Sequence, residues 1–154
     1  MLSTPTRKVE KRPTTLIVLV VVFTLTVAIE IVNVLPRLPY WQIGVTGGLI
    51  LMTISFLAIT TSRDPGYLDS SKTDFLDLLE VFDPAQLCSD CCTIRTSRSR
   101  HCTVCNRCVE RFDHHCPWIN NCVGLKNHNA FYIFVSSMSL LLAVSLAQAI
   151  LCLV

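Results

Sequence analysis

Three long apolar runs, separated by a short turn and one polar stretch, set the pattern of the chain. Thr14 to Leu35 carries a single charge, Glu30, while Tyr40 to Thr61 and Ala130 to Val154 carry none. Each meets or exceeds the roughly 20 residues that an α-helix needs to cross about 30 Å of hydrocarbon. The pattern predicts three transmembrane helices, at 14–35, 40–61 and 130–154. They follow an N-terminal segment, 1–13, and enclose a polar region made of a linker, 62–87, and a cysteine-rich domain, 88–129. Arg7, Lys8, Lys11 and Arg12 precede the first run as they would in a secretory leader. The run is longer than the roughly 7 to 15 apolar residues of such a leader, and Pro36-Arg37-Leu38-Pro39 is no small-residue cleavage site.

Within the linker, Phe75, Leu78, Leu79 and Phe82 recur at helical spacing opposite Asp77 and Glu80, which predicts a short amphipathic helix over Asp74 to Phe82. Ser70-Ser71-Lys72-Thr73 reads as the flexible joint before it. No internal repeat or low-complexity linker is apparent.

Composition sharpens the membrane reading. Hydrophobic residues make up 51% of the 154 residues and the mean hydropathy is +0.52, too apolar for an ordinary soluble domain of this size. Four Lys or Arg residues precede the first helix, Arg37 alone lies in the turn after it, and eight lie between Arg63 and Lys126. Because basic residues flanking membrane helices stay cytosolic, the N-terminus and the polar region are expected in the cytosol, and Val154 on the far side. Tyr40-Trp41 fall where amphipathic rings mark a membrane interface. The net charge of +2 says little by itself, but the polar region is divided. Asp64 to Asp90 carries seven acids against Lys72, whereas Arg95, Arg98, Arg100, Arg107 and Arg111 cluster around the cysteines. Such a patch suits anionic lipid headgroups, a phosphate-bearing cofactor, or no specific ligand at all.

Seven of nine cysteines lie between Cys88 and Cys116, and an eighth is Cys122. In a reducing cytosol a disulfide framework is not the default. Cys88-Ser89-Asp90-Cys91 and Cys102-Thr103-Val104-Cys105 are CxxC knuckles, and Cys108, His101, His115 and Cys122 supply four more donors. A tetrahedral structural zinc takes four Cys or His donors, so eight donors make two sites, whose pairing the spacing leaves open. A loop this short with few large apolar side chains depends on its metals for its fold. His114, Cys116 and Cys92 are left over. Cys92 reads as a spare thiol or an alternate donor, and Cys152 as a small apolar residue of the third helix.

The run His101-Cys102-x-x-Cys105-x-x-Cys108-x4-Asp113-His114-His115-Cys116-Pro117-Trp118-Ile119-x-Asn121-Cys122-Val123-Gly124, followed by Asn127 and Phe131, resembles the cysteine-rich domain of the DHHC family of protein S-acyltransferases (palmitoyltransferases). Asp64-Pro65-Gly66 resembles that family's Asp-Pro-Gly motif. The resemblance implies an α-helical integral membrane protein with a small cytosolic two-zinc domain of short β-hairpins. It implies one zinc on Cys88, Cys91, His101 and Cys108, a second on Cys102, Cys105, His115 and Cys122, and a catalytic group of Asp113, His114 and Cys116. Thr96 stands where a Pro usually follows the basic residue. The family has at least four membrane helices and a Thr-Thr-x-Glu tail, so a chain ending at Val154 is expected to be a C-terminally shortened form.

The leftover triplet also makes chemical sense on its own. A free thiol, with a pKa near 8.5, is mostly protonated at neutral pH, and a neighbouring imidazole raises the thiolate fraction. His114 is the natural base for Cys116, with Asp113 orienting the imidazole and stabilising the imidazolium. The alternative for Asp113 is a partner for a metal-bound His115. Adjacent histidines point in different directions, which lets His115 bind metal while His114 faces the thiol.

The expected activity is transfer of a long-chain acyl group from acyl-CoA, palmitoyl-CoA above all, to Cys116 and then to a cysteine of a membrane-associated substrate protein. Expected partners are the lipid bilayer, acyl-CoA and such proteins, in an endomembrane (Golgi or ER), with the plasma membrane as the alternative. The competing readings are a non-catalytic zinc-stabilised membrane adaptor, an inactive fragment of such an enzyme, and a CxxC thiol oxidoreductase. Nucleic acid is not an expected partner, because aromatic residues are not interleaved with the basic patch.

Overall fold

The computed structural model describes residues 13–69 and 75–153. The expected N-terminal segment, but for Pro13, and the joint at Ser70–Thr73 lie outside the described residues. Among the described residues there are four α-helices, α1 (Thr14–Asn33), α2 (Tyr40–Ser62), α3 (Phe75–Val81) and α4 (His128–Leu153). Among them α1, α2 and α4 are long and apolar enough to cross a membrane.

The helix ends follow from local chemistry. Pro36 has no N–H to give and disfavours helical geometry in the residue before it, so α1 stops at Asn33 and a 3-10 turn spans Leu35–Arg37. Pro39, in extended geometry, stands before α2. α4 starts at His128, two residues ahead of the expected start. The hairpin before it ends at Gly124, whose carbonyl already accepts from His128 N–H at 2.9 Å. Hydroxyls within the apolar helices return hydrogen bonds to carbonyls one turn back, including Thr53 to Leu49, Ser55 to Leu51 and Ser139 to Val135. Their polar atoms are thus satisfied without water, as a spanning helix requires.

α2 packs along α4. Thr46, Thr53 and Thr60 recur every seventh residue on the buried face of α2, and Thr46 and Gln148 hydrogen bond to each other at 3.0 Å. α1 is tied to α4 by Ser145, whose hydroxyl donates to the buried Glu30 carboxylate at 2.9 Å. Leu25, Ile29, Leu51, Leu146 and Leu151 face outward and exposed. In α3, Leu78 is buried and Phe82, just beyond the helix, is partly buried, whereas Leu79 is exposed, so only part of the expected stripe packs inward.

Between α3 and α4 lie three antiparallel hairpins, β1 (Leu87–Cys88) with β2 (Thr93–Ile94), β3 (Arg100–Cys102) with β4 (Arg107–Val109), and β5 (His114–Cys116) with β6 (Asn121–Val123). Their registers correct the expectation of no internal repeat. Leu87↔Ile94, His101↔Cys108 and His115↔Cys122 are equivalent cross-strand pairs, and successive pairs are offset by 14 residues. Cys92, Asn106 and Asn120 hold the same left-handed turn position, with φ of 48°, 52° and 49°. The sequence carries the repeat too, since His101-Cys102-x-x-x-Asn106-x-Cys108-Val109 recurs as His115-Cys116-x-x-x-Asn120-x-Cys122-Val123, whereas in hairpin one Leu87 and Ile94 stand where the others have His and Cys.

Candidate functional site

Two groups of four Cys and His side chains could each hold a metal ion, and each is shared between neighbouring repeats. The first takes Cys88 and Cys91 from hairpin one and the cross-strand pair His101 and Cys108 from hairpin two. The second takes Cys102 and Cys105 from hairpin two and the pair His115 and Cys122 from hairpin three. Strand alternation makes this interleaving possible, because His101 and Cys102, adjacent in sequence, point to opposite faces of β3. The donor atoms of each group lie within 4.8 Å of one another.

The geometry fits a tetrahedral ion. Nδ1 of His101 is 3.6, 3.2 and 3.9 Å from the sulfurs of Cys88, Cys91 and Cys108. Nδ1 of His115 is 3.7, 3.4 and 3.6 Å from those of Cys102, Cys105 and Cys122. Nitrogen and sulfur bound to one tetrahedral zinc at about 2.05 and 2.3 Å are separated by about 3.6 Å. Burial and the neighbouring Cys88 thiol push the Cys91 thiol up, with Cys108 hydrogen bonds opposing; Cys108 is raised by burial and then by its neighbours. Cys122 is raised by its hydrogen bond with Cys105 and by burial. Thiols packed this closely ionise together only around a cation, and a bound metal reverses the sign of the shift. Asp90 Oδ2 lies 3.9 Å from Nε2 of His101 and so supports the outer nitrogen of a metal-facing imidazole. The sequence pattern points to Asp113 for that role and carries no signal for Asp90.

Hairpin three breaks the pattern on one side. Cys116 holds the position of Cys88 and Cys102, the first cysteine of a knuckle, but Ile119 stands where Cys91 and Cys105 stand. After hairpin three the chain enters α4, which stands where a further hairpin would pack. Instead of donors, the Cys116 side meets apolar residues of the long helices. Cys116, Ile119, Val123 and Phe134 form a buried cluster, against which Leu19 of α1, Phe56 and Leu57 of α2 and Phe131 of α4 pack. The hydroxyl of Thr15, at the start of α1, donates to the Pro117 carbonyl in the turn.

β-strand alternation puts His114 and Cys116 on one face of β5 and His115 on the other, where the second metal group lies. The His114 ring meets the edge of Phe131 at 5.4 Å between centroids. Asp113 Oδ2 lies 3.6 Å from Nδ1 of His114 and 3.8 Å from Nε2 of His128, the first residue of α4. Among the described residues the Asp113 carboxylate thus pairs with His114 and His128 rather than with His115. His128 carries no motif signal that sequence reading could have used.

Several motif residues hold this hairpin to the helices. Asn121, cross-strand to Cys116, is buried, and its amide donates to the carbonyls of Thr60, Thr61 and Arg63 at 3.2, 3.3 and 2.9 Å, closing the C-terminal end of α2. Its oxygen accepts from Cys122 N–H at 2.9 Å. Asn127 bridges Gly124 N–H and the Cys122 carbonyl at 2.9 and 2.8 Å. Gly124 is required by close approach, since a Cβ there would lie 2.6 Å from the Pro65 carbonyl oxygen and 2.6 Å from Val109 Cγ1. In the Asp64-Pro65-Gly66 segment, Asp64 accepts from Gly66 and Tyr67 N–H at 2.9 Å each and pairs with Lys126. Burial raises the Asp64 carboxyl, but the two backbone bonds and Lys126 outweigh it and hold it below its ordinary range. Gly66, at φ 106°, lets Tyr67 bridge to Val109, and the Tyr67 hydroxyl lies 3.4 Å from Asn121 Oδ1.

The five arginines separate by surroundings. Arg95 donates to the Ala85 carbonyl at 2.7 Å, and Arg107 stacks over the Tyr67 ring at 4.1 Å. Arg98, Arg100 and Arg111 line a polar cavity of about 660 Å³ whose wall includes Asp113 and His128.

Residues 81–154 match the family model described as DHHC palmitoyltransferase. The chain is 41% identical over 94 residues to Palmitoyltransferase Hip14 of Drosophila melanogaster, covering 56% of this chain and 15% of that protein. It is 37% identical over 98 residues to Palmitoyltransferase ZDHHC4 of Rattus norvegicus, covering 59% and 28%. It is 56% identical over 54 residues to Protein S-acyltransferase 8 of Arabidopsis thaliana, covering 35% and 13%. The matched segments thus span well under a third of these relatives. Residues 81–154 of this chain are a domain of the DHHC palmitoyltransferase family.

Proposed function

We propose that this chain carries the acyl-transfer chemistry of a protein S-acyltransferase, with Cys116 as nucleophile, His114 as its base and Asp113 as the group that orients His114. The observation that carries the reading is the surroundings of Cys116: a knuckle cysteine outside both metal groups, on the strand face of His114 and against apolar residues of three long helices. In the first step the Cys116 proton passes to His114, Sγ bonds to the carbonyl carbon of palmitoyl-CoA, and the bond to the CoA sulfur breaks. The CoA thiolate takes the proton from His114. In the second step the thiol of a membrane-associated substrate protein attacks the Cys116 thioester, and Cys116 leaves and regains its proton. One thioester replaces another at each step, so neither oxidant nor ATP enters.

Two zinc ions on the eight Cys and His donors would hold the hairpins and fix the backbone of β5 through His115. The acyl chain would lie along α1 and α4, where an apolar cavity of about 160 Å³ begins at Leu19 and reaches Glu30 and Ser145. Arg98, Arg100 and Arg111 are the arginines suited to the CoA phosphates. The positive-inside pattern supports a membrane-embedded chain with its hairpins in the cytosol, and an endomembrane setting rests on family resemblance alone.

The test is an acyl-enzyme assay on the purified, zinc-loaded chain in detergent with labelled palmitoyl-CoA. Label that neutral hydroxylamine removes, and that Cys116→Ala lacks, is expected. Absence of label from zinc-loaded protein, or undiminished label on Cys116→Ala, refutes the reading.

A further inference from the structure

The Asp113 carboxylate faces two imidazoles rather than one. Nδ1 of His114 approaches Oδ2 at 3.6 Å from the hairpin side, and Nε2 of His128 approaches the same oxygen at 3.8 Å from the first residue of α4. Both separations are in ion-pair range and longer than a hydrogen bond, as is common before substrate binds and such contacts tighten. Asp113 itself is exposed, and its carboxylate swings about two side-chain bonds unless something holds it. Beside β5 the residue is fixed through its backbone, whose N–H donates to the Val123 carbonyl at 3.0 Å, and among the described residues the two imidazoles are what its carboxylate meets.

His128 is better fixed. Its ring packs edge-on to Tyr132 one turn along α4, 4.7 Å between centroids, and its backbone N–H donates to the Gly124 carbonyl. Its place on α4 also ties Asp113 to the helix that carries Phe131, the ring packed on His114. The two aromatic contacts and the shared carboxylate form one chain, Tyr132 to His128 to Asp113 to His114 to Phe131, which begins and ends on α4.

Resting on the acyl-transfer reading above, we propose that His128 is a positioning residue of the site, which holds the Asp113 carboxylate on His114 by donating from Nε2. It touches neither the thiol nor the metal donors. Its effect runs through Asp113, so loss of His128 slows acylation of Cys116 even when acyl-CoA saturates the site.

The experiment is single-turnover acylation by palmitoyl-CoA with the purified, zinc-loaded chain, comparing wild type, His128→Phe, His128→Gln, Asp113→Asn and the double variant His128→Phe/Asp113→Asn. His128→Phe keeps the ring stack on Tyr132 and removes the donor; His128→Gln restores an N–H. The expected result for His128→Phe is a rate constant at saturating palmitoyl-CoA lowered about tenfold, the size of one charge-assisted hydrogen bond. His128→Gln recovers most of the loss, and His128→Phe has no further effect in the Asp113→Asn background. A His128→Phe rate equal to wild type, a full loss that persists beside Asp113→Asn, or a change confined to half-saturation overturns the assignment. If wild type forms no acyl-enzyme, the acyl-transfer reading fails. The positioning role is then read from the rate of Cys116 alkylation by iodoacetamide in the same variants, with the same pattern expected and uniform rates overturning it.

Discussion

Asn121→Ala should loosen the hairpin that carries Cys116 from α2. The Asn121 amide has two hydrogens and faces three carbonyls at 3.2, 3.3 and 2.9 Å, those left open where α2 ends at Ser62. Two of these contacts are full hydrogen bonds at best, and the side-chain oxygen makes a third with Cys122 N–H. At about 1 kcal/mol net for each, with a further penalty for carbonyls left buried, truncation costs about 2–3 kcal/mol. Asn121→Asp is the sharper variant. It keeps the acceptor for Cys122 but turns a negative oxygen toward three carbonyls at the negative end of a helix dipole, so it should cost more than alanine. The assay is thermal unfolding of the zinc-loaded chain in detergent, followed by reaction of released cysteines with a thiol dye. A loss of 2–3 kcal/mol appears as a drop of roughly 5–10 °C in midpoint for a chain of this size. An Asn121→Asp midpoint equal to wild type, or an Asn121→Ala shift below about 1 °C, would refute the claim that this side chain closes α2.

Metal removal should separate the two halves of the molecule. The buried cluster around Val109 is built largely from Cys102 and Cys122, themselves proposed metal donors, so a strong chelator is expected to unfold the hairpins while α1, α2 and α4 keep their far-UV helical signal. Acid should do the same, since protonated thiols do not bind metal; release of zinc without loss of hairpin amide protection would contradict this. Gly124→Ala forces a methyl to within 2.6 Å of the Pro65 carbonyl and Val109, which should cost about 3 kcal/mol or more; a stable, fully zinc-loaded variant would contradict the close approach.

Long-range architecture was legible from the sequence because its signals are local and strong. An uncharged run of twenty residues has few structural solutions, and CxxC knuckles with further His and Cys announce metal. The donor groups brought together in space are the two sets that family resemblance implied, although spacing alone left their pairing open. Alternation along β3 and β5 resolves it, and alternation acts only once strands exist.

Other features needed the tertiary structure. The 14-residue repeat shows in recurring His, Cys and Asn positions, but that it builds three equivalent hairpins is decided by cross-strand register and by the left-handed turns at Cys92, Asn106 and Asn120. The separation of Arg98, Arg100 and Arg111 from Arg95 and Arg107 depends on neighbours distant in sequence. So does the approach of His128 to Asp113, 15 residues away and on another element. The sequence by itself determined three apolar helices, eight metal donors and a leftover His-x-Cys, because hydropathy and ligand chemistry belong to single residues and short spacings. Tertiary structure alone decided which surface Cys116 faces, what holds Asn121 and which imidazoles share Asp113, because these depend on how α1, α2 and α4 meet the third hairpin.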